Sequence, residues 1–367
     1  MSHQTAHRLA ISLAPAILAV LASCGAESPV ASGSVWPQAD LLFQRDTLWA
    51  GGDGAYSCDL GRDTQGRGRV LWLFGDSFVR KQGLDDTKGM WFLRNSIAIQ
   101  TGYNPATALM AFHWGTSDGH PGSFVPEQDK RWFWPGPCLR VGKKLAIIGG
   151  WLVQQQPGQW GYGGDRQTSF LVEDVDADPA LWQPREVSLP GDVTSFDLGT
   201  AGFADDKYWY LYGNSGQFHD YDVARFALAD VGAGDMRHPE FFTGGKWQAL
   251  GAFALPADRI MTNGAPESSV HFDAARQRYV MAQTEGFGST TLALRFATQP
   301  QGPWSAPHTF LRPPESFQEG LFVYAGKAHP ELEGADVVMT YVPTQFDEIP
   351  QRERPHFYLP HFARANF

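Results

Sequence analysis

Short strand-like runs recur along this chain in five clusters, each holding up to four runs separated by turns rich in glycine, proline and aspartate. The first cluster covers residues 55–60, 70–75, 95–101 and 109–114, and the second 132–134, 139–141, 145–153 and 169–172. The third holds 196–203, 208–212, 223–228 and the region near Trp247; the fourth holds 268–272, 279–283, 291–297 and the segment after Trp304. A fifth contains 322–327 and 337–342, with its missing strands expected from 41–49 and from the tail 357–363. Beyond the N-terminal segment no helix longer than about two turns is expected. Clusters of about 45 to 65 residues, each able to form one four-stranded sheet, predict an all-β chain folded as a five-bladed β-propeller. A two-sheet sandwich of jelly-roll type is the alternative, but it needs fewer strands than these.

Composition agrees with that class. Aromatic residues make up 13% of the chain against 19% charged, and 40 glycines and 25 prolines punctuate it, which suits turns and packed sheets better than long amphipathic helices. A formal net charge of −10 argues against nucleic acid or an anionic membrane surface as partner.

The N-terminus reads as an address. After MSHQTAHR an apolar stretch from Leu9 to Ala22 leads to Leu21-Ala22-Ser23-Cys24, too short and alanine-rich for a stable membrane span. A small-residue site ending in cysteine resembles the bacterial lipoprotein signal, so 1–23 are expected to be removed and Cys24 to carry lipid. The alternative is an ordinary signal peptide cut near Ala26. Residues 24–34, small and polar, are expected to be a flexible tether, and 35–367 one undivided propeller domain. Cys58 and Cys138 then remain, as a disulfide or as buried thiols.

The clearest sign of chemistry is a symmetry. GGDGAYSCDL and VLWLFGDSF flank a turn-forming GRDTQGRGR, and Asp53 and Asp76 stand about equally far from its centre. Residues equidistant from a hairpin turn lie roughly opposite one another, about 5 Å apart at Cα, so the two carboxylates should meet at the open end of the hairpin. Paired carboxylates at a strand end are what glycoside hydrolysis needs. Ordinary turn and strand-end aspartates would occupy the same positions.

WLFGDSF, with GGDGAYSCDL upstream and LRNSIAIQTG downstream, resembles the first blade of the bacterial endo-D-arabinanase family of five-bladed propellers. FWPG at 133–136, QGPW at 301–304 and AHPEL at 328–332 are similar to later blades of that group and of related propeller glycosidases, and the resemblance extends over most of 36–345. It implies a glycoside hydrolase of arabinofuranosyl linkages in cell-envelope glycans, with Asp53 and Asp76 as its acidic pair. The hairpin between them is longer here, and FGDS stands where FGDT is more usual. Related furanosidase propellers also place a third carboxylate from a later blade in the central funnel, which points to Glu267 in NGAPESSVHF, ahead of Glu285 and Glu319.

Around these sit the expected substrate-binding residues. Arg94 and Asn95 enter an apolar strand and could hold a carboxylate ionised or bind a sugar hydroxyl. Trp91, Trp134, Trp151, Trp160 and Tyr162 could pack on sugar rings, although most propeller tryptophans pack between blades. The loop 153–166 reads as a flexible lip, and His329 as a funnel residue or a core histidine. Asp174, Asp176 and Asp178 imitate the start of a calcium loop, but Pro179 and Arg185 stand where glycine and glutamate are required. No HExxH, phosphate-binding glycine loop or GxSxG is present, so no metal or cofactor is expected.

The expected protein is therefore a monomeric, lipid-anchored envelope hydrolase, periplasmic or on the outer-membrane face, acting on furanosidic polysaccharide and touching membrane only through its anchor. Asp53 is assigned as nucleophile or base and Asp76 as acid, because Asp76 leaves the more apolar strand and should hold its proton to higher pH. A non-catalytic glycan-binding propeller is the alternative.

Overall fold

The computed structural model describes residues 32–81, 89–158, 161–191, 197–216, 218–345 and 358–367. The lipoprotein signal with Cys24, and Trp160, lie outside the described residues. The chain is a five-bladed β-propeller. Blade I is built from Tyr56–Arg62, Gly68–Phe74, Ser96–Thr101 and Leu109–His113; blade II from Arg131–Val141, Lys144–Gln154, Tyr162–Val172 and Arg185–Ser188. Blade III is Asp197–Ala204, Tyr208–Ser215, Asp220–Ala227 and Glu240–Thr243, extended by Lys246–Ala249; blade IV is Ser268–Asp273, Arg278–Thr284, Leu292–Ala297 and His308–Leu311. Blade V runs outward from Leu321–Ala328 through Val337–Gln345 and His361–Asn366 to Ser32–Val35.

Strand alternation explains the packing. In Gly68–Phe74 the whole apolar run Val70–Phe74 is buried, because each face meets a different neighbour. Leu71 and Leu73 join Phe133, Leu145, Ile147 and Trp151 of blade II. Val70, Trp72 and Phe74 turn the other way, against Val338 and Phe362 of blade V and the helix Pro37–Gln44. Equivalent apolar seams join II to III, III to IV and IV to V. A disulfide between Cys58 and Cys138 ties the innermost strands of blades I and II across 80 residues of sequence.

Three expectations change. The segment expected to be a strand within 41–49 holds the end of the helix Pro37–Gln44, whose Ala39, Leu42 and Phe43 are buried at helical spacing. Blade V is instead completed by Ser32–Val35, which begins inside the expected tether and pairs antiparallel with residues 363–366. Small polar residues suffice there because an outermost strand is held by its backbone hydrogen bonds rather than by buried side chains. In blade II the two runs at 132–134 and 139–141 are one strand, Arg131–Val141. Its Pro135-Gly136-Pro137 is absorbed as a register shift between Pro135 and Cys138 rather than ending the strand.

A three-stranded ribbon of Trp49–Gly52, Ser77–Arg80 and Met90–Leu93 continues the blade I hairpin beyond Asp53 and Asp76. These two aspartates therefore stand at the seam where the blade ends and the ribbon begins.

Candidate active site

The hairpin register carries through to the seam. Asp53 N donates to Asp76 O at 3.2 Å, and Gly75 N donates to Asp53 O at 3.0 Å, so the two residues face one another across the ladder. Both side chains line a cavity of about 720 Å³ at the propeller axis, in the size range of small-molecule sites. Glu267 reaches the same cavity from the segment before the inner strand of blade IV. A carbon added at Gly54 would lie 4.0 Å from its Oε2, which brings Glu267 up to the turn that carries Asp53.

The three carboxylates are held differently. Asp53 Oδ2 accepts hydrogen bonds from the hydroxyls of Tyr324 at 2.9 Å and Tyr358 at 2.6 Å. Burial, then repulsion from Asp76 and Glu267, pushes its carboxyl up to about 8, and the two phenols only partly offset this. Asp76 Oδ1 accepts from Trp134 Nε1 at 3.0 Å, and its Oδ2 is 3.6 Å from Arg94 Nη1. Burial raises it as well, but Arg94 and Trp134 pull back, leaving it at about 6. Glu267 Oε2 takes a 2.5 Å ion pair from Lys327, whose side chain is 1% exposed. The order expected from the apolar strand is thus reversed. Asp53 holds its proton longer, because it is buried and repelled by two other carboxylates while Asp76 has a guanidinium.

Trp134 and Tyr162 line the cavity and pack edge to face with centroids 4.9 Å apart. Trp151 lines it too, almost wholly buried, with its Nε1 on Glu186. The segment expected as a flexible lip is largely strand, and from the strand Tyr162–Val172 the residues Tyr162, Gly164, Arg166 and Gln167 reach the wall.

Four expected site residues do other work. Arg94 lies outside the cavity lining and acts only through Asp76, its guanidinium stacked over Trp132 at 4.0 Å. Asn95 is buried and spent on the backbone, donating to Val125 O and Phe133 O and accepting from Val125 N. His329 is a satisfied core histidine between Ser57 and Thr340, packed at a tilt against Trp72 and kept neutral by burial. Trp91 is outside the cavity, stacked on His120 beneath Lys81.

The residues that sequence reasoning missed come mainly from blade V and its flank: Tyr324, Lys327 and Tyr358. A lone lysine in the buried strand LFVYAGKA was a readable signal, since an unpaired buried cation is costly. Nothing in the sequence marks the tyrosines. Among the described residues no group of three or more histidine, cysteine, aspartate or glutamate side chains could hold a metal ion, and no helix is long and apolar enough to cross a membrane.

A family profile matches residues 38–366, nearly the whole propeller. The chain belongs to the family described as domain of unknown function DUF5005. The profile that matches is that of DUF5005 and does not extend to the endo-D-arabinanases that WLFGDSF resembles. No curated protein matches this DUF5005 chain. Among solved structures it is similar to a provisionally assigned hydrolase from Bacteroides ovatus ATCC 8483, with a TM-score of 0.69 and 18% identity over 91% of this chain and 90% of that one. An exo-β-1,3-galactanase from Phanerochaete chrysosporium aligns at 0.49 and 10% identity, over 92% of this chain and 65% of that one. The α-L-arabinofuranosidase from Podospora anserina aligns at 0.46 and 10%, over 88% and 92%. The Bacteroides likeness shows a shared propeller fold.

Proposed function

We propose that this DUF5005 propeller is a glycoside hydrolase, and the observation that carries the reading is the set of three carboxylates, Asp53, Asp76 and Glu267, in one axial cavity. At neutral pH Asp53 keeps its proton while Asp76 is largely ionised, the acid-plus-carboxylate combination that glycosidic cleavage requires. Asp53 protonates the leaving oxygen, and Asp76 supplies the nucleophile or base. Glu267, ion-paired to Lys327, places negative charge where the sugar ring becomes positive in the transition state.

The cavity also supports a substrate class. Its cations among the described residues are already answered: Arg166 by Glu186 at 2.6 Å, while burial keeps His219 neutral. A cavity whose cations are already paired offers no open cation to a uronate or phosphate substituent, which suits an uncharged glycan. The aromatic wall of Trp134 and Tyr162 suits the C–H faces of sugars. Within the uncharged glycans, D-arabinofuranosyl polymers lead on the first-blade resemblance.

The test is release of reducing ends from arabinan, arabinoxylan, galactan and polygalacturonate by the purified mature domain. Hydrolysis of a neutral furanosyl polymer and none of polygalacturonate is expected. Binding without cleavage of any glycan would make the protein a glycan-binding module instead.

The chain is also proposed to be exported and lipid-anchored through Cys24 in the cell envelope. The Cys58–Cys138 disulfide fits an oxidising compartment. Mass spectrometry of the cell-derived protein should find an acylated Cys24 as its first residue. An N-terminus at or beyond Ala26 would remove the anchor.

A further inference from the structure

We infer that Lys327 is the positioning residue of this site: its buried ammonium fixes the carboxylate of Glu267 by an ion pair, and through Glu267 it acts on Asp53. The kinetic consequence rests on the hydrolase reading; the electrostatic one does not.

The strand geometry shows how the site is built. In a regular strand, residues three apart point to opposite faces, so Tyr324 and Lys327 could not both reach the cavity side. The inner strand of blade V carries a register shift between Tyr324 and Lys327, with Ala325 at φ 57°, in the left-handed region. Gly326 packs so tightly there that an added carbon would lie 2.8 Å from Met339 Cε and from Thr284 N. A bulge of this kind re-aims a side chain. Here it lets one strand donate a phenol to Asp53 through Tyr324 and an ammonium to Glu267 through Lys327. Holding a non-glycine residue at positive φ costs energy, and such strain concentrates at functional sites.

The ammonium has few other partners. Lys327 Nζ donates to Ala325 O at 3.0 Å and sits 4.2 Å from the centroid of the Tyr56 ring. Tyr56 lines both the axial cavity and a second one, of about 470 Å³, which Lys327 also lines. Lys327 and Tyr56 therefore form the plug between the two cavities. A cation in this place is not needed for packing, since a methionine would fill the same volume. Of its partners, Ala325 O, the Tyr56 ring and Glu267, only Glu267 answers its charge.

The groups facing Glu267 are Asp53 at the blade I seam, Tyr162 of blade II, and Tyr324 and Lys327 of blade V; Asp76 with Arg94 faces Asp53, and neutral His329 lies behind Lys327. Lys327 is the cation in contact with Glu267 within this set. Removing it must make Glu267 easier to protonate and, where Glu267 is ionised, leaves its charge unanswered beside Asp53, so that Asp53 holds its proton to higher pH.

Carboxyl-carbon NMR titration of selectively labelled protein tests this without any substrate, with Glu267→Gln to assign the resonance. In Lys327→Met the Glu267 midpoint should rise by about one to three pH units, as expected for loss of a contacting opposite charge. An unmoved midpoint would overturn the proposal. If Lys327→Met does not fold, the reciprocal measurement decides: in Glu267→Gln the Lys327 ammonium should titrate at lower pH than in the parent, and an unchanged value refutes the pairing. Where the parent hydrolyses a glycan, Lys327→Met should move the alkaline limb of the kcat/KM profile, which Asp53 sets, up by about one unit, and the shift should vanish in the Glu267→Gln background. A lysine needed only for packing would lower activity without moving that limb. Should the parent cleave no glycan while Glu267 still shifts, the hydrolase reading fails and the positioning of Glu267 stands.

Discussion

Replacing Asp53 by asparagine should lower kcat/KM on an unactivated glycan by roughly 1,000-fold, within the range expected of a general acid. The side chain is nearly isosteric with the protonated carboxyl that burial favours, and its oxygen can still accept from Tyr324 and Tyr358. The loss would therefore be of the proton and not of the architecture. An aryl glycoside, whose leaving group needs no proton, should lose far less with the same variant. Asp76→Asn should be severe with both substrates, because it removes the ionised partner. If Asp53→Asn were equally severe with both, the acid would have to be another carboxyl.

The same electrostatics set a pH window. The productive form has Asp76 ionised and Asp53 protonated, so activity should rise through about pH 6 and fall through about pH 8. Stability carries the opposite consequence. Asp53 has a folded-state pKa raised above its value of 3.8 in the unfolded chain, so the folded state binds more protons between those limits. Stability linked to this group is therefore full below about pH 4 and is lost as pH rises toward 8. Asp53→Asn should be more stable than the parent at pH 8, and the advantage should shrink toward pH 4. Thermal denaturation at the two pH values measures it, and a gain in stability at the site of lost activity is the pattern expected of a functional carboxyl.

How much of this was legible depended on how local each contact is. The meeting of Asp53 and Asp76 could be read because a hairpin ladder copies symmetry about its turn into register, and the backbone bonds between the two residues do so here. Blade assignments were readable wherever apolar runs fill both faces of a strand, as in Val70–Phe74. What could not be read was set from far along the chain. Asn95 looked like a cavity residue, but the carbonyls of Val125 and Phe133, at least 30 residues away, consume its amide. His329 faces Ser57 across 272 residues. Tyr324 and Lys327 have the wrong separation for one face until a bulge corrects it, and sequence alternation gives no warning of a bulge. The relative proton affinities of Asp53 and Asp76 were misjudged for the same reason, since a strand's apolar character says nothing about a guanidinium arriving from a neighbouring segment.

Gly75→Ala should abolish most activity while leaving the propeller folded. Gly75 is not among the glycines with positive φ, so alanine meets no backbone penalty there. The obstacle is one carboxyl: a carbon added at Gly75 would lie 2.5 Å from Asp53 Oδ1 and 3.6 Å from its Cγ, with Trp134 Cδ1 at 3.8 Å. Asp53 Oδ2 is fixed by two phenols, so the carboxyl cannot swing aside without losing them. Because Oδ2 already accepts two hydrogen bonds, the proton of the neutral acid belongs on Oδ1, the oxygen that the new methyl displaces. A shift of about 1 Å in a reacting group costs on the order of 100-fold, and the loss should fall on kcat more than on KM. Circular dichroism and the thermal midpoint should remain close to those of the parent. Combined with Asp53→Asn, the alanine should cost little more, since the oxygen it displaces no longer carries a transferable proton. Additive losses in the double variant would mean that Gly75 serves the fold and not the carboxyl, and the narrow seam between blade and ribbon would then need another explanation.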